Sequence, residues 1–407
     1  MSARPWTSGV AGPGARAPGL NLPVDMPLLL AAIALLGIGL VMVASASITI
    51  ADGPGHGAPG DPFYFLTRQV VFAGFGVCLA IAAFAVPPRL LEQHGMSLIL
   101  FALVLLVVVF LPGLGKTVNG STRWIGVGPV NLQVSEFAKL ATVIYLAGYL
   151  VRRREEVRTR FSGFLRPMIL LSVLVVLLLL EPDFGAAAVM LATALGMMWL
   201  GGVRLWQFAM LLTTISAALV VLMLSSPYRL QRLTAFVNPW ADPFNSGFQL
   251  TQALIAFGRG EWFGVGLGRS VQKLFYLPEA HTDFLFAVMA EELGLVGAVV
   301  VIVLFALLIG RALVIGRRAE CQGHLFGAYL AYGLGIWVAL QAFINIGVNM
   351  GVLPTKGLTL PFMSYGGSSL VVMCIVVALV LRVDLELRRD TSGTKADRER
   401  RRRRVEA

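Results

Sequence analysis

The densest group of titratable side chains beside an apolar run is Glu279, His281 and Asp283, in the string Leu277-Pro-Glu-Ala-His-Thr-Asp-Phe284. Removing a carboxylate from water penalises its charged form and raises its pKa, which suits it to taking a proton near neutral pH. Thr282 or Asp283 could equally cap a helix that begins here, by accepting its free N–H groups, and the residue types leave both readings open. Arg229, Arg232, Arg259, Arg269 and Lys273 crowd the segment around this cluster, and Lys116, Arg123 and Lys356 stand in two other loops. Arg offers a planar fork that matches phosphate and Lys a point charge, so an anionic ligand would explain the set; pairing with loop acids or lipid headgroups is the alternative. Asp183, in Glu181-Pro-Asp-Phe-Gly185, can cap the helix after it or orient a substrate or a divalent cation.

These residues must be held by membrane-spanning helices. Hydrophobic residues make up 57% of the chain and charged ones only 14%, against roughly 25% charged in soluble domains. A span needs about 20 apolar residues. Ten such runs lie near 27-50, 65-87, 96-113, 134-151, 166-182, 185-202, 206-226, 284-310, 325-347 and 369-383. The expected fold is therefore an all-α integral membrane protein of about ten helices. Residues 26-383 form its membrane domain, with a large outer loop at 227-283 between helices seven and eight. Lys and Arg concentrate in the loops after even-numbered spans and in the tail, which places both termini in the cytoplasm. Residues 1-25, rich in Gly, Pro and Ala, read as a flexible cytoplasmic arm. The basic tail 384-407, with its run Arg400 to Arg404, reads as unstructured from 388 and as solvated or touching anionic lipid rather than nucleic acid. Ala44-Ser-Ala46 resembles a cleavage site, but the run before it is too long and too far from the start for a signal peptide.

Charges near the spans are informative because burying them is costly. Glu136 and Lys139, three apart, can pair on one helix face. Glu291 and Glu292, two turns into span eight, can face the core and meet basic groups from elsewhere. Segment 247-257 is half-amphipathic and suits a helix at the outer interface. Cys78, Cys321 and Cys374 offer no outer pair to oxidise, and the four histidines have no metal-ligand spacing. Gly264-Val-Gly-Leu-Gly268 opens no βαβ unit, which excludes a dinucleotide fingerprint. Ser364-Tyr-Gly-Gly-Ser368, with Pro354, Gly357 and Pro361, reads as a re-entrant loop, tolerated at membrane depth where it lines a cavity.

From the first span to the tenth the chain resembles the shape, elongation, division and sporulation family of bacterial membrane proteins. The carriers are Leu277 to Phe284, Pro354-Thr-Lys-Gly-Leu-Thr-Leu-Pro361, Ser364-Tyr-Gly-Gly-Ser-Ser369, Asn119-Gly-Ser-Thr-Arg-Trp124, Ser135-Glu-Phe-Ala-Lys139 and Asn238-Pro-Trp240. The Pro354 string looks like the division branch rather than the elongation branch. The chain departs from the pattern at Val134, where many members have Pro, and at Glu181, where a neutral residue is common. The resemblance implies a peptidoglycan glycosyltransferase that polymerises lipid II, the undecaprenyl-diphosphate-linked disaccharide-pentapeptide, at the outer face of the cytoplasmic membrane during division. It places the family's catalytic aspartate on Asp283, its outer-loop basic and polar residues on Arg123, Lys356, Ser364 and Tyr365, and its buried polar groups on Glu136, Lys139 and Asp183. Lys116, Arg229, Arg232, Glu279 and His281 join these as candidate substrate contacts. No cofactor is implied beyond an optional divalent cation. A class B penicillin-binding transpeptidase and other division membrane proteins are the implied partners.

Two other functions fit a bundle of this kind. A lipid II flippase would need polar groups near the midplane of several helices, yet spans one, three, five, six, seven, nine and ten lack charges between their ends. A non-enzymatic division scaffold would not need the cluster at 279-283 or the outer cations.

Overall fold

In the computed structural model the described residues are 24–406, apart from 52–60, 119–120, 128–129, 205, 211–212, 214–235, 237, 246, 275–276 and 355–356. Within lipid a chain must satisfy its backbone polar groups internally, so long runs of Leu, Val, Ile and Ala become helices. Nine of the ten apolar runs do so: α1 (Met26–Ala51), α2 (Tyr64–Ala85), α3 (Pro88–Val108), α4 (Val134–Arg152), α6 (Phe161–Leu180), α7 (Phe184–Leu200), α9 (Leu285–Cys321), α10 (Leu325–Asn349) and α11 (Gly367–Glu406). Short α5 (Arg154–Thr159) and the loop helix α8 (Phe248–Gly260) are further α-helices among the described residues. Most of the run at 206–226 lies outside the described residues. Among the described residues seven helices are long and apolar enough to cross a membrane, and α7 is apolar but shorter. The chain is a multi-pass membrane protein.

Two features differ from expectation. The loop between α3 and α4 carries a three-stranded antiparallel sheet in the order β1 (Gly115–Val118), β2 (Ser121–Val127), β3 (Val130–Gln133), with Lys116 opposite Trp124 and Trp124 opposite Gln133. Its strands are short and polar, too weak a period-2 pattern to stand out beside the spans. The tail, expected to be unstructured from 388, instead continues α11 to Glu406. An Arg388–Asp384 pair at i,i+4 ties the first residue of that extension to the helix before it.

The core centres on α4, which is buried from Val134 to Leu150 except at Phe137 and is flanked by α3, α7 and α10. One polar set in it is joined around Lys139, while Ser135 Oγ, Thr142 Oγ1 and the second Glu136 carboxyl oxygen are buried without a hydrogen-bond partner. Lys139 Nζ donates to Glu136 Oε1 and to Gln341 Oε1, each at 2.9 Å, and lies 5.2 Å from the Trp337 ring centroid; Trp337 Nε1 also donates to Gln341 Oε1.

Glu291 and Glu292, both buried, receive the basic partners that their position called for. Arg259 of α8 pairs with Glu291 at 3.1 Å, and Lys273 pairs with Glu292 at 3.1 Å beside Ser45 of α1. Arg259 and Lys273 therefore do not belong to the anion-attracting set proposed from sequence; internal carboxylates hold them. Helix α8, expected at the interface, also buries Leu250, Ala253 and Ala256 and packs on α9.

Just beyond the two acids α9 kinks at Gly294 (φ +68), and the loop after α8 fills the break. Val265 and Gly266 N–H donate to the Glu291 and Glu292 carbonyls at 3.0 and 3.1 Å, while Leu295 and Val296 N–H donate to the Glu261 and Trp262 carbonyls at 2.9 and 3.1 Å. The backbone groups freed by the kink are thus paired again, as burial requires. Gly264 is required there: its φ is +78, and a Cβ would lie 2.1 Å from the Glu292 carbonyl oxygen. Gly268 has a similar φ of +79 with open space around it. Gly264→Ala is expected to lower the thermal midpoint in detergent clearly more than Gly268→Ala. The latter carries only the left-handed backbone cost of about 1–2 kcal/mol; equal shifts would show that the close approach does not matter.

Candidate functional site

At the end of the bundle that carries the sheet, α2, the sheet, the start of α4, the α6–α7 turn, residues 279–283 and the loop 357–368 surround a cavity of about 620 Å3. Asp283, Glu279, His281, Arg123, Tyr365, Asp183 and Glu136 all line it. Residues far apart in sequence meet here because each precedes or follows a span at the same end.

Asp283 is half-buried at the cavity wall. Its carboxyl is not a helix cap. The first residue before α9 is Phe284, which has no side-chain cap bond, and Ala287 N–H instead donates to Asn349 Oδ1 of α10 at 3.0 Å. The amide of Asn349 donates to the Asp283 carbonyl at 2.9 Å, and that of Asn345 to the same carbonyl at 3.0 Å. Two asparagines of α10 thus fix the Asp283 main chain and take over the capping that Asp283 could have supplied. Thr282 Oγ donates to Glu279 Oε2 at 2.7 Å and is likewise no cap. The loop backbone passes close above the acid, since a Cβ on Gly357 would sit 3.0 Å from Asp283 Oδ2. Burial, then the neighbouring Glu279 carboxylate, pushes the Asp283 pKa up to about 7, with Arg123 partly opposing.

Arg123 projects from β2 and is anchored by its own donations to the Glu181 carbonyl (Nε, 3.2 Å) and the Pro182 carbonyl (Nη2, 2.6 Å). Both bonds go to neutral oxygens, which orient the guanidinium without cancelling its charge. Asp183 caps α7 by accepting from Ala186 N–H at 3.2 Å and also accepts from Gln133 Nε2 at 3.4 Å. Glu181 is 1% exposed with no hydrogen bond to either carboxyl oxygen. Burial and the adjacent Asp183 push its pKa up to about 8, against the opposing charge of Arg123.

The wall opposite is aromatic. His281 lies 4.7 Å from Phe65 and 5.6 Å from Tyr365 between ring centroids, and Tyr365 meets Phe65 edge-on at 5.1 Å. Tyr365 N–H donates to the His281 carbonyl at 2.9 Å, and Gln69 clamps the loop through the Ser364 carbonyl at 3.2 Å and Gly366 N–H at 3.4 Å.

Other expected contacts fall elsewhere. Ser364 is buried with its Oγ accepting from Leu360 N–H at 2.9 Å, so it shapes its own loop instead of facing the cavity. Lys116 donates across the sheet to Asn131 Oδ1 at 3.0 Å and does not line the cavity. Arg229, Arg232 and Lys356 lie outside the described residues. Lys139 sits beneath the cavity, bound to Glu136. Sequence reasoning missed Arg68, which lines the cavity from α2 and donates to Tyr64 Oη at 2.7 Å. A lone arginine one turn into an apolar helix was the available signal, since charge at that depth calls for a wet or paired site.

Fold and site together define a class: a multi-pass membrane protein with a half-enclosed cavity at one end of the bundle, where a carboxylate of raised pKa and an anchored guanidinium face a shared space. The family model described as cell cycle protein, covering FtsW, RodA and SpoVE, matches residues 26–389, and the chain belongs to that family. It is 60% identical over 363 residues to a protein of Thioalkalivibrio sulfidiphilus named probable peptidoglycan glycosyltransferase FtsW, covering 89% of this chain and 90% of that one. The namesake of Nitrosococcus halophilus is 60% identical over 364 residues, covering 89% and 93%. Among solved structures, the rod shape determining protein RodA of Thermus thermophilus matches with a TM-score of 0.65 at 28% identity, covering 89% of this chain and 97% of that one. A chain from a peptidoglycan synthase complex that coordinates polymerization and crosslinking matches with a TM-score of 0.70 at 28% identity, covering 89% and 98%.

Proposed function

We propose that this chain is a peptidoglycan glycosyltransferase that polymerises lipid II, with Asp283 as its general base. The observation that carries the reading is the Asp283 carboxyl, released from capping by Asn349 and turned to a cavity that Arg123 and Arg68 also line. As the carboxylate, Asp283 takes the proton of the acceptor sugar's 4-hydroxyl while that oxygen attacks the anomeric carbon of the donor. The bond to the lipid diphosphate breaks on the opposite face, which inverts the centre and requires no covalent intermediate. Arg123 and Arg68 meet the charge that develops on the departing diphosphate. Among the described residues no three His, Cys, Asp or Glu side chains gather as a metal site. Arg123 and Arg68 line the cavity and can neutralise the diphosphate with or without a divalent cation.

The cavity belongs on the outer face, as the clustering of Lys and Arg at the other end favours, and both termini then lie in the cytoplasm. The names of the relatives favour a role in division, hence action at the septum. Resemblance to a chain from a complex of polymerization and crosslinking favours a class B penicillin-binding transpeptidase as partner, with other division proteins nearby. The test is a pH–rate profile of glycan formation by purified protein. A base must be ionised to act, and burial raises this one, so the rate falls as pH drops through about 7 with the loss of a single ionisation. A flat profile between pH 5 and about 8 would exclude Asp283 as the titrating base.

A further inference from the structure

A second cavity, of about 860 Å3, opens at the end of the bundle opposite the candidate site, between the first turns of α3 and the last turns of α4. Three guanidiniums, Arg89, Arg152 and Arg153, line it with Tyr145 and Tyr149, against the single carboxylate of Glu92. The helices are pressed together one turn deeper, where a Cβ on Gly95 would meet the Tyr145 backbone at 3.4 Å, and the cavity lies on the water side of that contact.

The charges are arranged for a ligand more than for each other. Arg152 spends one N–H group on the Glu92 backbone carbonyl at 3.0 Å, a neutral oxygen that orients it over the cavity wall. Arg153 pairs with Glu156. Among the described residues Arg89 is exposed and has no ion pair or hydrogen bond, and neither does the Glu92 carboxylate. An adjoining cavity of about 540 Å3 shares Arg89 and Glu92 and is lined further by Arg382, Glu386 and Asp390; there Arg382 pairs with Glu386 through Nη2, so the free cation that the two cavities share is Arg89. Beyond the arginines, the outward face of α3 is apolar and exposed at Met96, Leu100, Phe101 and Val104. A ligand that suits the whole surface has an anionic head for the guanidiniums and hydrocarbon for the α3 face. Basic pockets between spans at the headgroup level bind lipids of that chemistry.

We propose that the cleft between α3 and α4 binds an anionic phospholipid, its phosphate held by Arg89 and Arg152 and its acyl chains lying along α3. A phosphate without chains would use the same guanidiniums, but α3 would add nothing to its affinity.

The test is native mass spectrometry of the purified full chain titrated with phosphatidylglycerol, phosphatidylethanolamine and inorganic phosphate. Variants are R89Q, which removes no contact seen within the protein, and R160Q, an exposed arginine at the same end that does not line the cleft. Phosphatidylglycerol is expected to bind at least about tenfold more tightly than phosphatidylethanolamine, and R89Q to lose about tenfold of that preference while R160Q retains it; loss of one charge-assisted phosphate contact is of that size. Equal binding of the two lipids, or equal losses in R89Q and R160Q, would overturn the proposal. So would full displacement of phosphatidylglycerol by millimolar inorganic phosphate, which would make this a site for the free anion. The readout is independent of glycan synthesis, so it stands or falls apart from the role of Asp283.

Discussion

Replacing Asp283 by Asn is expected to lower lipid II polymerisation about 10²–10⁴-fold, the usual cost of removing a general base, with little change in thermal stability. The stability part follows from how the acid is held. Its backbone carbonyl is fixed by Asn345 and Asn349, and the cap of α9 comes from Asn349, so neither depends on the carboxyl. An uncharged amide of the same size also relieves repulsion from Glu279 and Asp183, both of which raise the Asp283 pKa. A variant that lost activity by unfolding would therefore contradict the structural description, while one that was stable and fully active would contradict the chemistry. Measured with purified protein, turnover should fall while the half-saturating lipid II concentration stays within a few-fold, as expected if Arg123 and Arg68 meet the substrate's charge in the proposed mechanism.

The second large effect concerns the polar set beneath the cavity. Lys139 is 2% exposed and bridges Glu136 and Gln341. Lys139→Met leaves the Glu136 carboxylate buried without its counter-charge, and removal of one partner from such a pair costs about 3–5 kcal/mol. That is a large part of the net stability of an ordinary domain, so poor yield of folded protein is expected. Joining Glu136→Gln to Lys139→Met removes the unpaired charge and should recover most of the loss, since replacing both members of a buried pair is often near neutral. Thermal unfolding in detergent of both single variants and the double variant measures the coupling. Additive losses would mean that the pair contributes little beyond its two side chains.

Much of this architecture was visible in the residues themselves. Hydrophobic runs mark nine of the described helices because a spanning segment must be apolar for its full length. Spacing alone gave the Glu136–Lys139 pair, and the expense of buried acids pointed to basic partners for Glu291 and Glu292. Asp183 is both the cap that its position suggested and a wall of the cavity. What remained hidden depends on contacts between distant segments. Whether Asp283 capped a helix turned on Asn349, 66 residues later. Arg259 and Lys273 looked like free loop cations because their acids lie in another element. Ser364 carried the right hydroxyl in the right loop, and only the turn geometry aims it at Leu360. The sheet at 115–133 rests on backbone pairing between strands of four to seven residues, which hydropathy does not register.

The most direct test of the central claim is a gel assay of glycan chains made from labelled lipid II by the purified full chain, with and without a class B penicillin-binding transpeptidase, for wild type and Asp283→Asn side by side. The wild-type protein should produce polymer under at least one of these conditions, and the variant, folded and still binding lipid II, should produce almost none. Polymer formed by the variant at the wild-type rate, or a wild-type protein that moves labelled lipid II between leaflets and makes no glycan, would contradict the account.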